Sequence, residues 1–169
     1  MAFKNNSYQK LTKPEDKIKL GSLKEIRLGA WGDPTSVPVE ELELLLTETP
    51  GHSGYTQNWE QFSEFRHYLM ASVCSLEQAK KAWKLGCRTY RIKPKEEKPQ
   101  DNEIQCPHEK NKRKIKCLNC PIPCNGLSSG IKHSITCDPG GRSTKKLLQN
   151  IGDIQCHLTQ TPEVSLKTL

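Results

Sequence analysis

Cysteines at metal-binding spacing dominate the chemistry that this sequence could perform. The segment CPHEKNKRKIKCLNCPIPCNG has the pattern C-x10-C-x2-C-x3-C. Two cysteines separated by two residues can turn both sulfurs toward one ion, and such pairs joined by a loop to further thiols are the usual frame of zinc sites. Iron–sulfur clusters use the same thiolates, often with proline beside a ligand. The pattern therefore predicts a zinc ion or an iron–sulfur cluster held by Cys106, Cys117, Cys120 and Cys124.

The fourth ligand is open at this point, because Cys137, His108 or His133 could replace Cys106. The alternative to a metal site is a loop of reduced, solvent-facing thiols, which would be vulnerable to oxidation. Cys74 and Cys87 are expected to be ordinary buried thiols in or beside core elements.

A basic loop separates the first two cysteines of the pattern. It could contact the phosphates of a nucleic acid, although the same charges could simply offset the thiolates or solvate the loop. The net charge of +7 is spread along the chain and not concentrated in one segment. The alternative function is thus a small zinc-stabilised module that binds nucleic acid or a host protein through residues 110–116, with the contacts made by Lys110, Lys112, Arg113, Lys114 and Lys116.

The elements that would position these groups alternate between strand and helix patterns. Strand patterns occupy residues 26–30, 67–73 and 87–93. One helix pattern begins near Pro38, and another is opened by Ser75 and closed by Gly86. This order predicts an α/β fold, either a partial parallel β/α barrel or a small open parallel sheet, with a C-terminal cysteine-rich metal-binding appendage.

Composition divides the chain into five parts. We expect a mobile arm, an α/β unit, a charged linker, a cysteine-rich metal-binding segment and a mostly disordered tail, at residues 1–20, 21–93, 94–103, 104–137 and 138–169. No apolar run approaches the ~20 residues of a membrane helix, and the first residues lack a secretion pattern. We therefore expect a protein of the host-cell cytoplasm with no membrane partner, in which clustered cysteines bind metal and do not form disulfides.

Ligands of parallel α/β folds bind at the carboxyl ends of the strands. Asp33 follows the first strand pattern and could act as a general base or as a hydrogen-bonding clamp, or merely fix a turn. We predict a catalytic role for Asp33 in a substrate pocket that is lined by Tyr55, Gln57, Trp59, Ser72 and Arg91. The aromatic residues could instead belong to the core.

Four motifs together resemble an uncharacterised family carried by phages and plasmids. They are RLGAWGDPTSVP, GYTQNW, YLMASV and CPHE with CLNCPIPCNG, in this order over residues 23–130. Gln57 stands where relatives tend to have histidine, and one spacer of the cysteine pattern is a residue longer. The family is similar in layout to the partial barrel of radical-SAM enzymes, so the resemblance implies a phage- or plasmid-encoded metal-binding protein related to an iron–sulfur enzyme. The C-x3-C-x2-C motif of those enzymes is missing, which implies an inactive relative or an incomplete one with an upstream-encoded partner chain.

Overall fold

The computed structural model describes residues 11–111 and 114–138 of the chain. The predictions for Lys112 and Arg113 and for the tail from residue 139 lie outside these residues. None of the helices in the described ranges combines the length and the apolar character that a membrane span requires.

Parallel strands form the centre of the described structure. They are β1 (Ile26–Arg27), β2 (His52–Ser53), β3 (Tyr55–Thr56), β4 (Met70–Val73), β5 (Thr89–Ile92), β6 (Glu103–Gln105) and β7 (Ser134–Cys137). A five-stranded sheet has the order β3-β4-β5-β7-β6, and β1 pairs with β2 beside it. All of these pairings are parallel. Only Gly54 separates β2 from β3. One extended segment of chain therefore contributes a strand to each of the two sheets.

The helices are α1 (Pro14–Ser22), α2 (Val39–Leu46), α3 (Leu76–Lys84) and the short α4 (Pro107–Lys110). The sequence pattern identifies α3 correctly. The Ser75 hydroxyl accepts a hydrogen bond from the backbone N–H of Gln78 at 3.1 Å, as an N-cap should. Gly86 ends the helix region with a φ of +77°, a conformation that glycine adopts without steric cost.

The helix α1 occupies part of the segment that the sequence assigned to an arm. Pro14, Glu15 and Asp16 lie in its first turn, where a fixed φ and negative charge both favour a helix. It packs on α2 with Gly21 so close to the Leu45 carbonyl that a Cβ would overlap it. The contact between α1 and α2 therefore depends on the absence of a side chain at Gly21. A search for apolar periodicity does not detect a helix that packs in this way.

The two faces of the five-stranded sheet differ in what covers them, because successive strand residues point to opposite faces. Ala71 and Val73 pack with Ala79 and Ala82 of α3. This side is called the helical face. The other side, called the cysteine face, carries Tyr55, Met70, Tyr90 and Ile135 against the thiols of Cys106, Cys124 and Cys137.

The cysteine-rich segment is built into this sheet. It is flanked by β6 and β7, and both strands belong to the five-stranded sheet. The α/β class and the parallel sheet are thus confirmed, whereas the partial barrel and the separate appendage are not. The expected linker folds back as well, because Glu103 forms two buried hydrogen bonds to Arg91, at 2.8 and 2.7 Å, and Glu97 adds an ion pair at 2.8 Å.

Candidate metal centre and the adjacent cleft

Three cysteines of the predicted pattern lie near enough to the fourth, Cys124, to affect the pKa of its thiol. Burial raises the pKa of the Cys124 thiol, and the nearby thiols of Cys106, Cys120 and Cys117 raise it further. The Tyr55 hydroxyl donates a hydrogen bond to the sulfur, which lowers the pKa in part. Cys106 follows β6, whereas the other three lie in the loop before β7. Chain segments that are separate in sequence therefore bring these thiols into one electrostatic environment.

Cys137 joins the same group from the neighbouring strand. The register of β6 and β7 pairs Gln105 with Thr136, so the next residues, Cys106 and Cys137, are neighbours. The backbone N–H of Cys106 donates to the Thr136 carbonyl at 2.8 Å. Cys137 is 6% exposed, and burial raises the pKa of its thiol to about 12 while a hydrogen bond from Tyr90 opposes the rise. Cys137 thus lies beside Cys106, and either thiol is placed to serve as the fourth ligand.

Two tyrosines line the cysteine face beneath these thiols. The ring centroids of Tyr55 and Tyr90 are 4.7 Å apart. Burial raises the pKa of both hydroxyls, and their hydrogen bonds to Cys124 and Cys137 raise it further. Both hydroxyls therefore keep their protons and can donate to sulfur. Partners of this kind orient the ligands of metal sites.

Arg88 is a buried cation on this face that the sequence analysis did not identify. Its side chain is 1% exposed. It donates to the backbone carbonyls of Pro123 (3.1 Å), Asn125 (2.8 Å), Gly126 (3.1 Å) and His133 (2.9 Å), and to the Asn125 side chain at 3.1 Å. The only sequence cue was an arginine at the buried start of a strand pattern.

The buried charge of Arg88 lacks a carboxylate partner in the described ranges. Its buried Nη2 has no hydrogen-bond partner there. Burial lowers the pKa of the guanidinium, and the nearby Cys124 and Tyr55 act in the opposite direction. A buried charge is costly without a counter-charge. A Cys124 thiolate would supply one.

Thiols are gathered at this face without forming a finished coordination shell. In the part of the chain that the structure describes, no three His, Cys, Asp or Glu residues are arranged so that they could hold an ion. Cys117 is exposed and Cys120 is half-buried. Of the two histidines considered as ligands, His108 has its Nδ1 at 2.6 Å from the Ile115 carbonyl, and His133 is exposed.

The basic loop carries its described lysines at the surface. Lys110, Lys114 and Lys116 are all exposed. The N–H groups of Lys114 and Ile115 both donate to the carbonyl of Asn111, at 3.1 and 2.9 Å, so the loop is turned tightly at this point.

A cleft of about 290 Å³ lies at the carboxyl ends of β1, β3 and β4. It is lined by Gly29, Gly32, Asp33, Tyr55, Thr56, Gln57 and Ser72. The structure thus brings together four of the residues predicted for a pocket. The position agrees with the rule that ligand sites of parallel sheets lie beyond the carboxyl ends of their strands.

Two of the predicted pocket residues lie elsewhere. Trp59 is 6% exposed and packs in the core of the helical face. Arg91 follows Tyr90 in β5 and therefore points away from the cysteine face, where Glu103 and Glu97 bind it. Arg91 lies outside the cleft because side chains alternate between the two faces of a strand. Trp59 lies outside it because its ring packs against Ala79 and Ala82 of α3.

Asp33 joins the loop after β1 to the loop after β3. Its Oδ1 accepts hydrogen bonds from the N–H and hydroxyl of Thr35, at 3.1 and 2.8 Å, and from the Thr56 hydroxyl at 2.8 Å. Its Oδ2 accepts from the Gln57 N–H at 2.9 Å. Burial raises the pKa of the carboxyl, but these four bonds outweigh it and the net shift is downward. This bonding fits a clamp better than a general base.

Comparison with protein-family models, with curated proteins and with solved structures finds no match for this chain.

Proposed function

We propose that this chain is a metal-binding protein whose zinc ion or iron–sulfur cluster is held by Cys106, Cys117, Cys120 and Cys124. The observation that supports the proposal is that Cys106 and Cys124, from chain segments on either side of the basic loop, pack against one cluster. Cys117 and Cys120 lie near enough to Cys124 to raise the pKa of its thiol. Thiolates are the preferred ligands of both kinds of centre.

The surroundings fit such a centre. Hydrogen bonds from Tyr55 and Tyr90 would stabilise ionised sulfur, and the uncompensated charge of Arg88 would be balanced by it. Cys137 is a further thiol within the group, in contact with Cys106. Completing the coordination shell requires movement of the loop around Cys117, which is irregular apart from a 3-10 turn at Cys117–Asn119.

The cleft is compatible with a phage- or plasmid-encoded metal-binding protein that is an incomplete or inactive relative of an iron–sulfur enzyme. Tyr55 lines the cleft and also binds Cys124. A molecule in the cleft would therefore lie beside the centre. On this proposal the chain acts alone or with an upstream-encoded partner chain, and the cleft is its substrate site.

The deciding experiment is anaerobic purification of the full chain, followed by determination of metal and sulfide and by visible absorption spectroscopy. Iron with sulfide and a brown colour would identify a cluster, and colourless protein with one zinc per chain would identify a zinc site. Wild-type protein that retains neither metal and binds neither on reconstitution would refute the proposal. Substitution of Cys117, Cys120 or Cys124 by serine should reduce the retained metal.

A second candidate function is nucleic-acid binding by the basic loop. It is favoured by the exposure of Lys110, Lys114 and Lys116 in a tight turn next to the cysteine group. Phosphate contacts of such a loop would be electrostatic and independent of base sequence.

A further inference from the structure

Trp31 is the most exposed of the large apolar side chains in the described ranges, at 95%. A single exposed apolar residue carries little meaning by itself. Trp31, however, lies between Gly29 and Gly32, and both of these glycines line the cleft. The backbone of Trp31 therefore borders the cleft, and its indole, which is not among the lining groups, is almost fully exposed to solvent.

The loop that carries Trp31 is held at both ends. Gly29 has a φ of +77° and packs so tightly on Pro34 that a Cβ would lie 3.0 Å from two atoms of the proline ring. Gly32 has a φ of +133°. Asp33, the next residue, is anchored by its four hydrogen bonds. Gly29 and Asp33 therefore hold the backbone on either side of position 31 next to the cleft.

The lining of the cleft is polar and almost uncharged. Among its residues, all within the described ranges, Asp33 is the single charged one, and both of its oxygens already accept hydrogen bonds. No lysine or arginine lines the cavity to neutralise a phosphate or a carboxylate. Gln57 carries an amide and Ser72 a hydroxyl, groups that can both donate and accept.

The size of the cleft limits the ligand further. Small-molecule pockets usually measure about 300–1,000 Å³, and this one lies at the lower limit, at about 290 Å³. It can hold one ring system with a small substituent and is too small for an extended cofactor. An exposed indole beside it offers a flat surface on which such a ring can stack.

We propose that the cleft binds an uncharged planar heterocycle of nucleobase or nucleoside size, with its ring stacked on Trp31 and its polar edge directed at Gln57 and Ser72. Trp31 thereby takes the place at the pocket that the sequence analysis gave to Trp59. The proposal rests on the cleft alone and does not depend on metal at the cysteine face.

The test titrates the full chain with adenosine, guanosine, cytidine and uridine and with their 5′-monophosphates, by isothermal calorimetry and tryptophan fluorescence. At least one nucleoside should bind saturably and more tightly than its monophosphate. Trp31→Ala should weaken that binding by about tenfold or more, in line with the loss of one stacking contact. Trp31→Phe should retain most of it. Leu23→Ala, which removes another exposed apolar side chain (68% exposed), should bind as the wild type does.

Three results would each overturn the proposal. They are the absence of saturable binding by all four nucleosides at millimolar concentration, unchanged affinity in Trp31→Ala, and tighter binding of a monophosphate than of its nucleoside. Ser72→Ala provides a second variant on the opposite side of the cleft. It should also weaken binding, and equal affinity in both variants and the wild type would place the ligand elsewhere.

Discussion

The hydroxyl of Tyr55 donates a hydrogen bond to the sulfur of Cys124, and the same tyrosine lines the cleft. Removal of this hydroxyl tests the link between the thiols and their supporting residues. Tyr55→Phe keeps the ring that packs on Tyr90, and we expect it to weaken metal binding about 10–100-fold, the usual cost of losing a partner of a metal ligand. Competition with a chromogenic chelator measures the affinity.

Tyr68→Phe is the matched control for that variant. It also removes a tyrosine hydroxyl that has a side-chain partner, in this case Glu43 at 2.8 Å, but one outside the cysteine face. Equal metal affinity in Tyr55→Phe and Tyr68→Phe would exclude a role of the Tyr55 hydroxyl at the centre.

Metal removal should lower stability. The centre would tie the long excursion between β6 and β7 to the sheet, and metal-linked folding contributes on the order of 10 kcal/mol in small zinc domains. We expect chelation or Cys117→Ser to lower Tm markedly in thermal unfolding followed by circular dichroism. Identical melting curves before and after verified metal loss would rule out a structural role.

Loss of Arg88 should destabilise the fold whether or not metal is bound. The guanidinium holds four backbone carbonyls of the cysteine loop and of the segment before β7, and Arg88→Met leaves these buried acceptors without a donor. We expect a loss of about 3–5 kcal/mol in the free energy of unfolding, measured by urea denaturation. Arg66→Met is the control, because Arg66 is exposed and makes one long bond of 3.5 Å to the Leu85 carbonyl. A loss no larger than in this control would contradict the role of Arg88.

The Asp33 clamp should make stability depend on pH in the acid range. The pKa of Asp33 is lower in the folded chain than its ordinary value of 3.8. Its contribution is therefore fully present above that value and is lost as the pH falls through the lower, folded pKa. Asp33→Asn should cost about 1–3 kcal/mol at pH 7, and the difference from wild type should shrink below pH 4. Asp101→Asn, at an exposed carboxyl, should show no such trend in urea denaturation across pH.

The basic loop can be tested for phosphate contacts by its salt dependence. Replacing Lys112, Arg113 and Lys114 with glutamine should weaken DNA or RNA binding and reduce the slope of log K against log salt by about one unit per lost contact. Replacing Lys19, Lys24 and Lys84, which are exposed elsewhere, should change binding little. Failure of the wild-type chain to bind either nucleic acid at low salt would remove this candidate function.

Local patterns predicted the parts of the fold that depend on local interactions. The cap at Ser75 and the stop at Gly86 needed only neighbouring residues, and both are confirmed. Metal binding by Cys106, Cys117, Cys120 and Cys124 stays a prediction. Cys87 is buried as expected, whereas the expectation of a buried thiol is wrong for Cys74, which is exposed. Asp33, Gln57 and Ser72 meet at the cleft because parallel strands end at a common edge.

Relationships across the chain could not be predicted in this way. The segment around Glu103 looked like a charged linker because a buried ion pair with Arg91 is indistinguishable in sequence from solvated charge. The sequence analysis assigned Trp59 to the pocket and did not consider Trp31, and packing under α3 places Trp59 in the core instead. No sequence pattern indicates that the backbone carbonyls of Pro123, Asn125 and Gly126 accept hydrogen bonds from Arg88.

The position of β7 has a consequence for the order in which the chain can fold during synthesis. This strand lies between β5 and β6 in the sheet, although it follows both in sequence. The edge of β5 therefore stays open, and β6 stays without a neighbour, until residues 134–137 have left the ribosome. Exposed strand edges can pair with other chains, and late long-range pairing is slow. The nascent protein thus passes through a stage prone to aggregation that ends when Ser134–Cys137 inserts.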